Sequence, residues 1–278
     1  MGGLVWLASY PKSGNTWTRA FLHNLLDQGD KTVDINAMHA VTTTDNSPAW
    51  FEPMIDRPIV EYAPEKLAAL RPKVHQSIAD ASEGLIFVKT HNALVSHAGV
   101  PMITTRLTAG AVYIVRNPLD VAVSYSHHMG TTVDDTIALM AEVGRMTPTH
   151  AKGAYQILGS WSENVMSWTR RQSPSLFVMR YEDMQQKPRE TFGALAGFMT
   201  LKPSDAELDR AIELSSFERL KEQEQQSGFR EKPASAKEFF RKGQTGEWRK
   251  VLTRRQVRAI IDSHREQMGR FGYLDGVG

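Results

Sequence analysis

The chain has 278 residues, 41% of them hydrophobic and 23% charged, which excludes a disordered polymer and suffices for a sizeable core. Its 33 Lys and Arg nearly balance 31 Asp and Glu, so a net charge of +2 makes no case for nucleic-acid binding, and the local placement of cations matters more. Without cysteine there are no disulfides, thiolate metal sites or cysteine nucleophile, and the nine histidines show no H-x-x-x-H or H-E-x-x-H spacing, so no metal is expected. Met1-Gly2-Gly3 leads into an apolar run without a basic leader, and no apolar run approaches the ~18 to 20 residues of a membrane span. A single soluble, cytoplasmic domain over 1–278 is expected.

Leu4 to Ala8 reads as a buried strand and Thr18 to Leu26 as an amphipathic helix, with Ser9-Tyr10-Pro11-Lys12-Ser13-Gly14-Asn15-Thr16-Trp17 as the turn between them. Lys12, Ser13 and the backbone N–H groups from Gly14 to Trp17 then surround a helix N-terminus, where orphan donors and the positive dipole end favour an anion. This is not a Walker A loop, whose lysine follows the last glycine; here Lys12 precedes Gly14. An ordinary strand-to-helix turn with a solvated lysine fits a lone K-S-G equally well.

Residues 27–64 are polar and broken by prolines, and 36–62 form a first candidate lid or acceptor loop. A short helix is expected from Pro64 to Leu70. Leu85 to Val88 is a second buried strand that delivers Lys89-Thr90-His91 at its carboxyl end, where ligands gather in open α/β sheets. Ala111 to Val115 is a third, ending in Arg116-Asn117-Pro118, with Asn117 as N-cap and Pro118 as first residue of a helix. Ser124 sits two turns along that helix, roughly 10 Å from its start at ~1.5 Å per residue; it is a ligand contact or simply a small helix residue.

Residues 154–171 have helical apolar spacing that makes Trp161 and Trp168 core residues. Leu176 to Met179 is a fourth strand, ending in Arg180-Tyr181-Glu182-Asp183, and helices are expected over 188–199, 204–214 and 254–268, the second with Ser204 and Glu207 in capping-box spacing. Residues 222–244 lack periodicity and form a second candidate lid, closing on Arg241-Lys242-Gly243. Strands alternating with helices predict an α/β fold: a central parallel β-sheet flanked by helices, with a P-loop-like nucleotide-binding architecture.

Four motifs stand in order: Y-P-K-S-G-N-T-W from Tyr10, K-T-H from Lys89, R-N-P-L-D-V-A-V-S from Arg116 and R-K-G-Q-T-G-E-W from Arg241. From Trp6 to about Thr253 the chain resembles the cytosolic sulfotransferases, which take a sulfuryl group from 3′-phosphoadenosine 5′-phosphosulfate (PAPS) and release 3′-phosphoadenosine 5′-phosphate (PAP). The resemblance implies that Lys12, Ser13, Gly14, Asn15, Thr16 and Trp17 hold the 5′-phosphosulfate, with Lys12 assisting the leaving oxygen. It implies 3′-phosphate contacts from Arg116, Ser124, Arg241, Lys242 and Gly243, and adenine contacts from Trp17, Tyr181 and Phe217, with Ser215 where the family commonly has threonine. The implied catalytic set is Lys12, Lys89, His91 and Ser124, with His91 as general base, acting on a small or medium organic acceptor without a metal.

Independently, a donor phosphorylated at both ends of an adenosine needs two separated cationic seats, which Lys12 and Arg116 supply and an ATP kinase does not require. A P-loop-type nucleotide kinase and a non-catalytic adenosine-phosphate binding module are the alternatives. Asn15 and Glu247 depart from the family's commoner threonine and aspartate. The C-terminal K-x-x-x-T-V-x-x-x-E dimer pattern is absent, and Lys31-Thr32-Val33 lies at the wrong end to replace it, so the oligomeric state is open. Acceptor-loop candidates are 36–62, parts of 131–155 and 222–237.

Overall fold

Short apolar runs bounded by polar turns become strands because extended chain buries them on both faces of a sheet. In the computed structural model, which describes residues 3–27, 29 and 32–277, all four expected strands form. Met1, Gly2, Gln28, Asp30, Lys31 and Gly278 lie outside the described residues, and with them the start of the chain and the lysine of Lys31-Thr32-Val33. The strands are β1 Gly3–Ser9, β2 Thr42–Thr44, β3 Leu85–Thr90, β4 Ser96–His97, β5 Val100–Pro101, β6 Thr108–Val115 and β7 Leu176–Arg180. Five make a parallel sheet in the order β2-β3-β1-β6-β7, and β4 and β5 form a small antiparallel hairpin. Sequence reading missed β2, whose three β-branched threonines carry no apolar signal.

The chain forms two compact units. The first comprises the residues up to Tyr10, Thr42–Tyr113 and Leu139–Val178; the second comprises Pro11–Val41, Ile114–Ala138 and the chain from Met179 on.

Within the first unit β1 pairs with β3 in a register that sets Leu7 against Lys89 and Ala8 against Thr90. That register brings the ends of the two strands level, which places Ser9 beside His91. The helix Pro64–Asp80 runs ten residues beyond its expected end. Arg71-Pro72 reads as a stop because a residue before proline is biased away from helix. The helix continues because Leu67, Ala68, Arg71, Val74, His75, Ile78 and Ala79 make one buried stripe across the proline. Arg71 donates to Asp45 at 3.0 Å and to the Tyr155 carbonyl, so this buried charge is paired.

The helix expected over 154–171 is shorter, Trp161–Thr169, with Ser160 and Glu163 in a capping box. Residues before it bond to distant partners instead: Ile157 N–H donates to Asn92, Leu158 N–H to Arg145, and Gly159 takes a φ of +62°. Trp161 and Trp168 are buried, as their spacing predicts.

The second unit contains the helices Asn15–Leu26, Pro118–Met129, Pro188–Phe198, Asp205–Leu214 and Arg254–Arg270 near their expected places. Tyr181–Gln186, Phe217–Ser227 and the short Trp248–Val251 are additions, and the second of these corrects the reading of 222–244 as wholly irregular. Its polar face masks the period, while Leu220 packs with Phe229 and Phe240. Among the described residues no helix is long and apolar enough to cross a membrane.

Two buried histidines make stability depend on pH. Burial, aided by the Arg71 charge, pushes His75 down to about 3, and burial holds His264 at about 4, both from 6.5. A depressed histidine means that the unfolded chain binds more protons below pH 6.5, so stability falls as pH drops from 6.5 toward 4, by on the order of 2 to 3 kcal/mol per histidine at pH 4.5. Urea titrations at pH 7 and 4.5 are expected to show this loss, and His264→Gln to remove about half of it. An unfolding midpoint that does not move with pH would contradict the assignment.

Candidate active site

The turn after β1 is curled by two residues in the left-handed region, Lys12 at φ +66° and Gly14 at φ +104°. Gly14 is the N-cap of the helix Asn15–Leu26, and a Cβ there would lie 2.7 Å from the Tyr181 ring, so glycine is required twice over. The first intrahelical bond runs from Thr18 N–H to the Gly14 carbonyl at 3.0 Å, and the first turn carries no acidic residue. The positive end of the helix is therefore uncompensated by a carboxylate of its own. Beside it the Ser13 hydroxyl is buried without a hydrogen-bond partner among the described residues. A buried donor left this way costs stability unless a ligand completes it, and a phosphate or sulfate oxygen is the acceptor that fits. Lys12 Nζ rests 4.1 Å above the Phe239 ring, which holds the cation at the turn.

Arg116 ties this turn to two other segments of the second unit. Its guanidinium donates to the Lys12 carbonyl at 2.9 Å and to the Gln244 carbonyl at 3.1 Å, and lies 4.1 Å over the Tyr181 ring. Those bonds use two of its five N–H donors, and Nε, buried, has no partner among the described residues. It is thus oriented by protein and still has donors for an anion. Asn117 caps the helix Pro118–Met129, and its own N–H donates to Glu182 at 2.9 Å; Glu182 also accepts from the Tyr273 hydroxyl. Burial pushes the Glu182 carboxyl up, against the pull of those hydrogen bonds. Ser124 is half-buried two turns into the same helix, where its spacing from Arg116 placed it.

Arg241, Lys242 and Gly243 form a turn held from several sides. Lys221 donates to the Arg241 carbonyl at 3.1 Å, and the Gln185 amide bonds the Gly243 carbonyl. Gly243 has φ +60°, and the Phe217 ring occupies the space that a Cβ would need. The flanking aromatics Phe239 and Phe240 have both backbone N–H groups on the Glu224 carboxylate. Residues 222–244 are therefore structured by specific partners, including a bidentate pair between Arg19 and Glu231.

The residues expected at the adenine have mixed fates. Trp17 packs edge-on against Tyr181 and Phe192, and Phe217 against Phe240. Ser215 is fully buried, and its hydroxyl donates to the Ala211 carbonyl at 2.7 Å within its own helix, so its proton is already committed. Asp120, Glu182, Glu224 and Gln185 were not singled out from sequence. Asp120 and Glu182 each sit in a first helical turn, where a carboxylate reads as a dipole complement, and only tertiary partners reveal more.

In the first unit Lys89 is half-buried at the end of β3, and His91 follows. His91 Nδ1 lies 2.8 Å from the Ser9 carbonyl and 3.3 Å from the Ser9 hydroxyl. A carbonyl only accepts, so Nδ1 carries the proton and the basic lone pair is on Nε2. The loop is fixed around the ring: Asn164 donates to the His91 carbonyl, Asn92 donates to buried Asp45, and Trp168 donates to the Asn92 carbonyl. Among the described residues no cluster of three His, Asp or Glu is suited to hold a metal ion.

The family model of the Sulfotransferase domain matches residues 3–272. The chain belongs to the sulfotransferase family. It is a PAPS-dependent sulfotransferase, the first of the three readings left open by the sequence. It is 27% identical over 273 residues to Sulfotransferase 2A6 of Rattus norvegicus, covering 95% of this chain and 84% of that one. It is 25% identical over 284 residues to the flavonol 3-sulfotransferase of Flaveria bidentis, covering 97% and 83%. In fold it is similar to mouse sulfotransferase SULT7A1 complexed with PAP, at a TM-score of 0.63 and 20% identity over 96% of this chain and 84% of that one. It is also similar to retinol dehydratase in complex with retinol and PAP, at a TM-score of 0.65 and 20% identity over 95% and 81%.

The two glycines give this sulfotransferase a direct test. Gly14→Ala and Gly243→Ala each impose a left-handed alanine and an overlap with Tyr181 or Phe217, so each is expected to cost about 2 kcal/mol or more of stability. Both are expected to weaken PAP binding, read by calorimetry. Unchanged stability and binding in either variant would show that its turn adapts freely.

Proposed function

We propose that this enzyme moves the sulfuryl group of PAPS to a hydroxyl, or less readily an amine, of a small or medium organic acceptor by in-line displacement. The acceptor oxygen forms a bond to sulfur as the bond from sulfur to the bridging oxygen breaks, and PAP departs. The acceptor proton goes to His91 Nε2. The single observation that carries this reading is the Nδ1–H bond from His91 to the Ser9 carbonyl, because it leaves Nε2 as the accepting nitrogen in the neutral ring.

Lys12 neutralises the charge that develops on the departing oxygen, and Lys89 places positive charge near the sulfuryl oxygens. Ser13 and the first-turn N–H groups of Asn15, Thr16 and Trp17 hold the 5′ end. Arg116, Ser124, Arg241, Lys242 and Gly243 hold the 3′-phosphate, while Trp17, Tyr181 and Phe217 hold the adenine. Support for these assignments comes from the buried Ser13 hydroxyl and Arg116 Nε, both donors in need of an acceptor. Ser215, whose hydroxyl proton is given to the Ala211 carbonyl, meets the adenine as an acceptor. An organic acceptor is in keeping with the flavonol and retinol in the names of the relatives. The acceptor loops are 36–62, parts of 131–155 and 222–237.

Lys12→Ala and His91→Ala separate the two roles. Both are expected to lower kcat by about a hundredfold or more. His91→Ala is expected to leave PAP affinity unchanged, while Lys12→Ala weakens it. Labelled-sulfate transfer to a phenol or alcohol acceptor and calorimetry with PAP make the comparison. Full turnover by His91→Ala would remove it from the role of base.

A further inference from the structure

Arg241 and Lys242, the two adjacent cations of the last motif, share one carboxylate. Arg241 binds Glu247 with both terminal nitrogens, one bond being 2.7 Å to Oε1, and Lys242 Nζ lies 2.8 Å from the same Oε1. Two parallel guanidinium bonds plus an ammonium reproduce the donor set by which proteins grip a phosphate. The carboxylate is nearly covered, its side chain 9% exposed. Burial alone would raise its pKa, but the hydrogen bonds and charges of Arg241 and Lys242 outweigh that and hold it at about 2. Glu247 is therefore an anion at every physiological pH.

Its position is imposed by the backbone on either side. Gly246 N–H donates to Asp120 Oδ2 at 2.7 Å and Trp248 N–H donates to Asp120 Oδ1 at 3.1 Å. Asp120 is buried in the first turn of the helix Pro118–Met129, the helix that follows Arg116. One carboxylate thus clamps the two peptide groups that flank Glu247. The backbone on both sides of Glu247 is tied to the helix Pro118–Met129, and release of the cations needs only a turn of the Glu247 side chain. His127, further along the same helix, also feels this cluster: burial and the two cations push its pKa down, against the pull of Glu247.

We propose that Glu247 is an internal competitor for the donor's 3′-phosphate: its carboxylate and that phosphate exchange on Arg241 and Lys242, which sets nucleotide affinity and the rate of PAP release. The proposal rests on the assignment of Arg241 and Lys242 to the 3′-phosphate. A built-in anion of charge −1 lowers the cost of uncovering the two cations when the nucleotide leaves, and it loses to a phosphate of higher charge when the nucleotide arrives. The enzyme thereby gives up affinity and gains a faster exit of its product, a step that limits turnover in many enzymes.

The test is stopped-flow and calorimetric binding of PAP and of adenosine 5′-phosphate, which lacks the 3′-phosphate, to the wild type and to Glu247→Gln and Glu247→Asp. Glu247→Gln keeps the shape and removes the charge. It is expected to bind PAP about tenfold more tightly, mostly through slower dissociation, and to bind adenosine 5′-phosphate as the wild type does. Glu247→Asp, one methylene shorter, is expected to shift in the same direction by less. Weaker PAP binding by Glu247→Gln would overturn the proposal, since the carboxylate would then be orienting the cations rather than competing for them. An equal change for both nucleotides would overturn it as well. A wild type that binds the two nucleotides equally would sink the 3′-phosphate assignment itself, and the competition with it.

Discussion

The second unit depends on one guanidinium. Arg116 is almost wholly buried, and it touches three segments at once: the carbonyl of Lys12, the carbonyl of Gln244 and the face of Tyr181. A buried charge must be paired or fully hydrogen-bonded, so the three segments are held where the arginine needs them. Lysine would not replace it, because a single ammonium has neither the planar fork nor the stacking face. The same arginine has Nε buried without a partner among the described residues.

Around that tie the unit gathers cations and backbone dipoles. The left-handed Lys12 and Gly14 turn the backbone so that a helix start without acidic residues lies next to the Ser13 hydroxyl. A lysine before the glycine sits in the curl itself, whereas a Walker lysine enters the helix. Carboxylates act on the backbone at each junction: Glu182 on Asn117, Asp120 on Gly246 and Trp248, and Glu224 on Phe239 and Phe240. In the first unit the register of β1 with β3 does a comparable task, setting Ser9 level with His91 so that a main-chain oxygen chooses the histidine tautomer.

Much of this was legible from residues alone. Leu4 to Ala8, Leu85 to Val88, Ala111 to Val115 and Leu176 to Met179 form strands because continuous apolar runs of that length have no other stable use in a parallel sheet. The Ser204 and Glu207 capping box forms as its spacing predicts. What failed did so for tertiary reasons. Residues 154–160 have helical spacing, yet their N–H groups bond to Asn92 and Arg145, and periodicity cannot see those partners. The helix from Pro64 outruns its expected end at Leu70 because a buried stripe crosses Pro72, and one member of that stripe, Arg71, is paired with Asp45, 26 residues earlier. At the site, the type of each cation was readable and its engagement was not. Arg241 and Lys242 read as a basic pair, whereas their common grip on Glu247 depends on a clamp from Asp120, over a hundred residues earlier.

A crystal structure of the complex with PAP tests the central claim most directly. The account predicts the 5′-phosphate over the Ser13 hydroxyl and the first-turn N–H groups, and the 3′-phosphate within about 3 Å of Arg116 nitrogens. It would be contradicted by the reversed orientation, or by a 3′-phosphate in solvent with Arg116 bonded only to the Lys12 and Gln244 carbonyls.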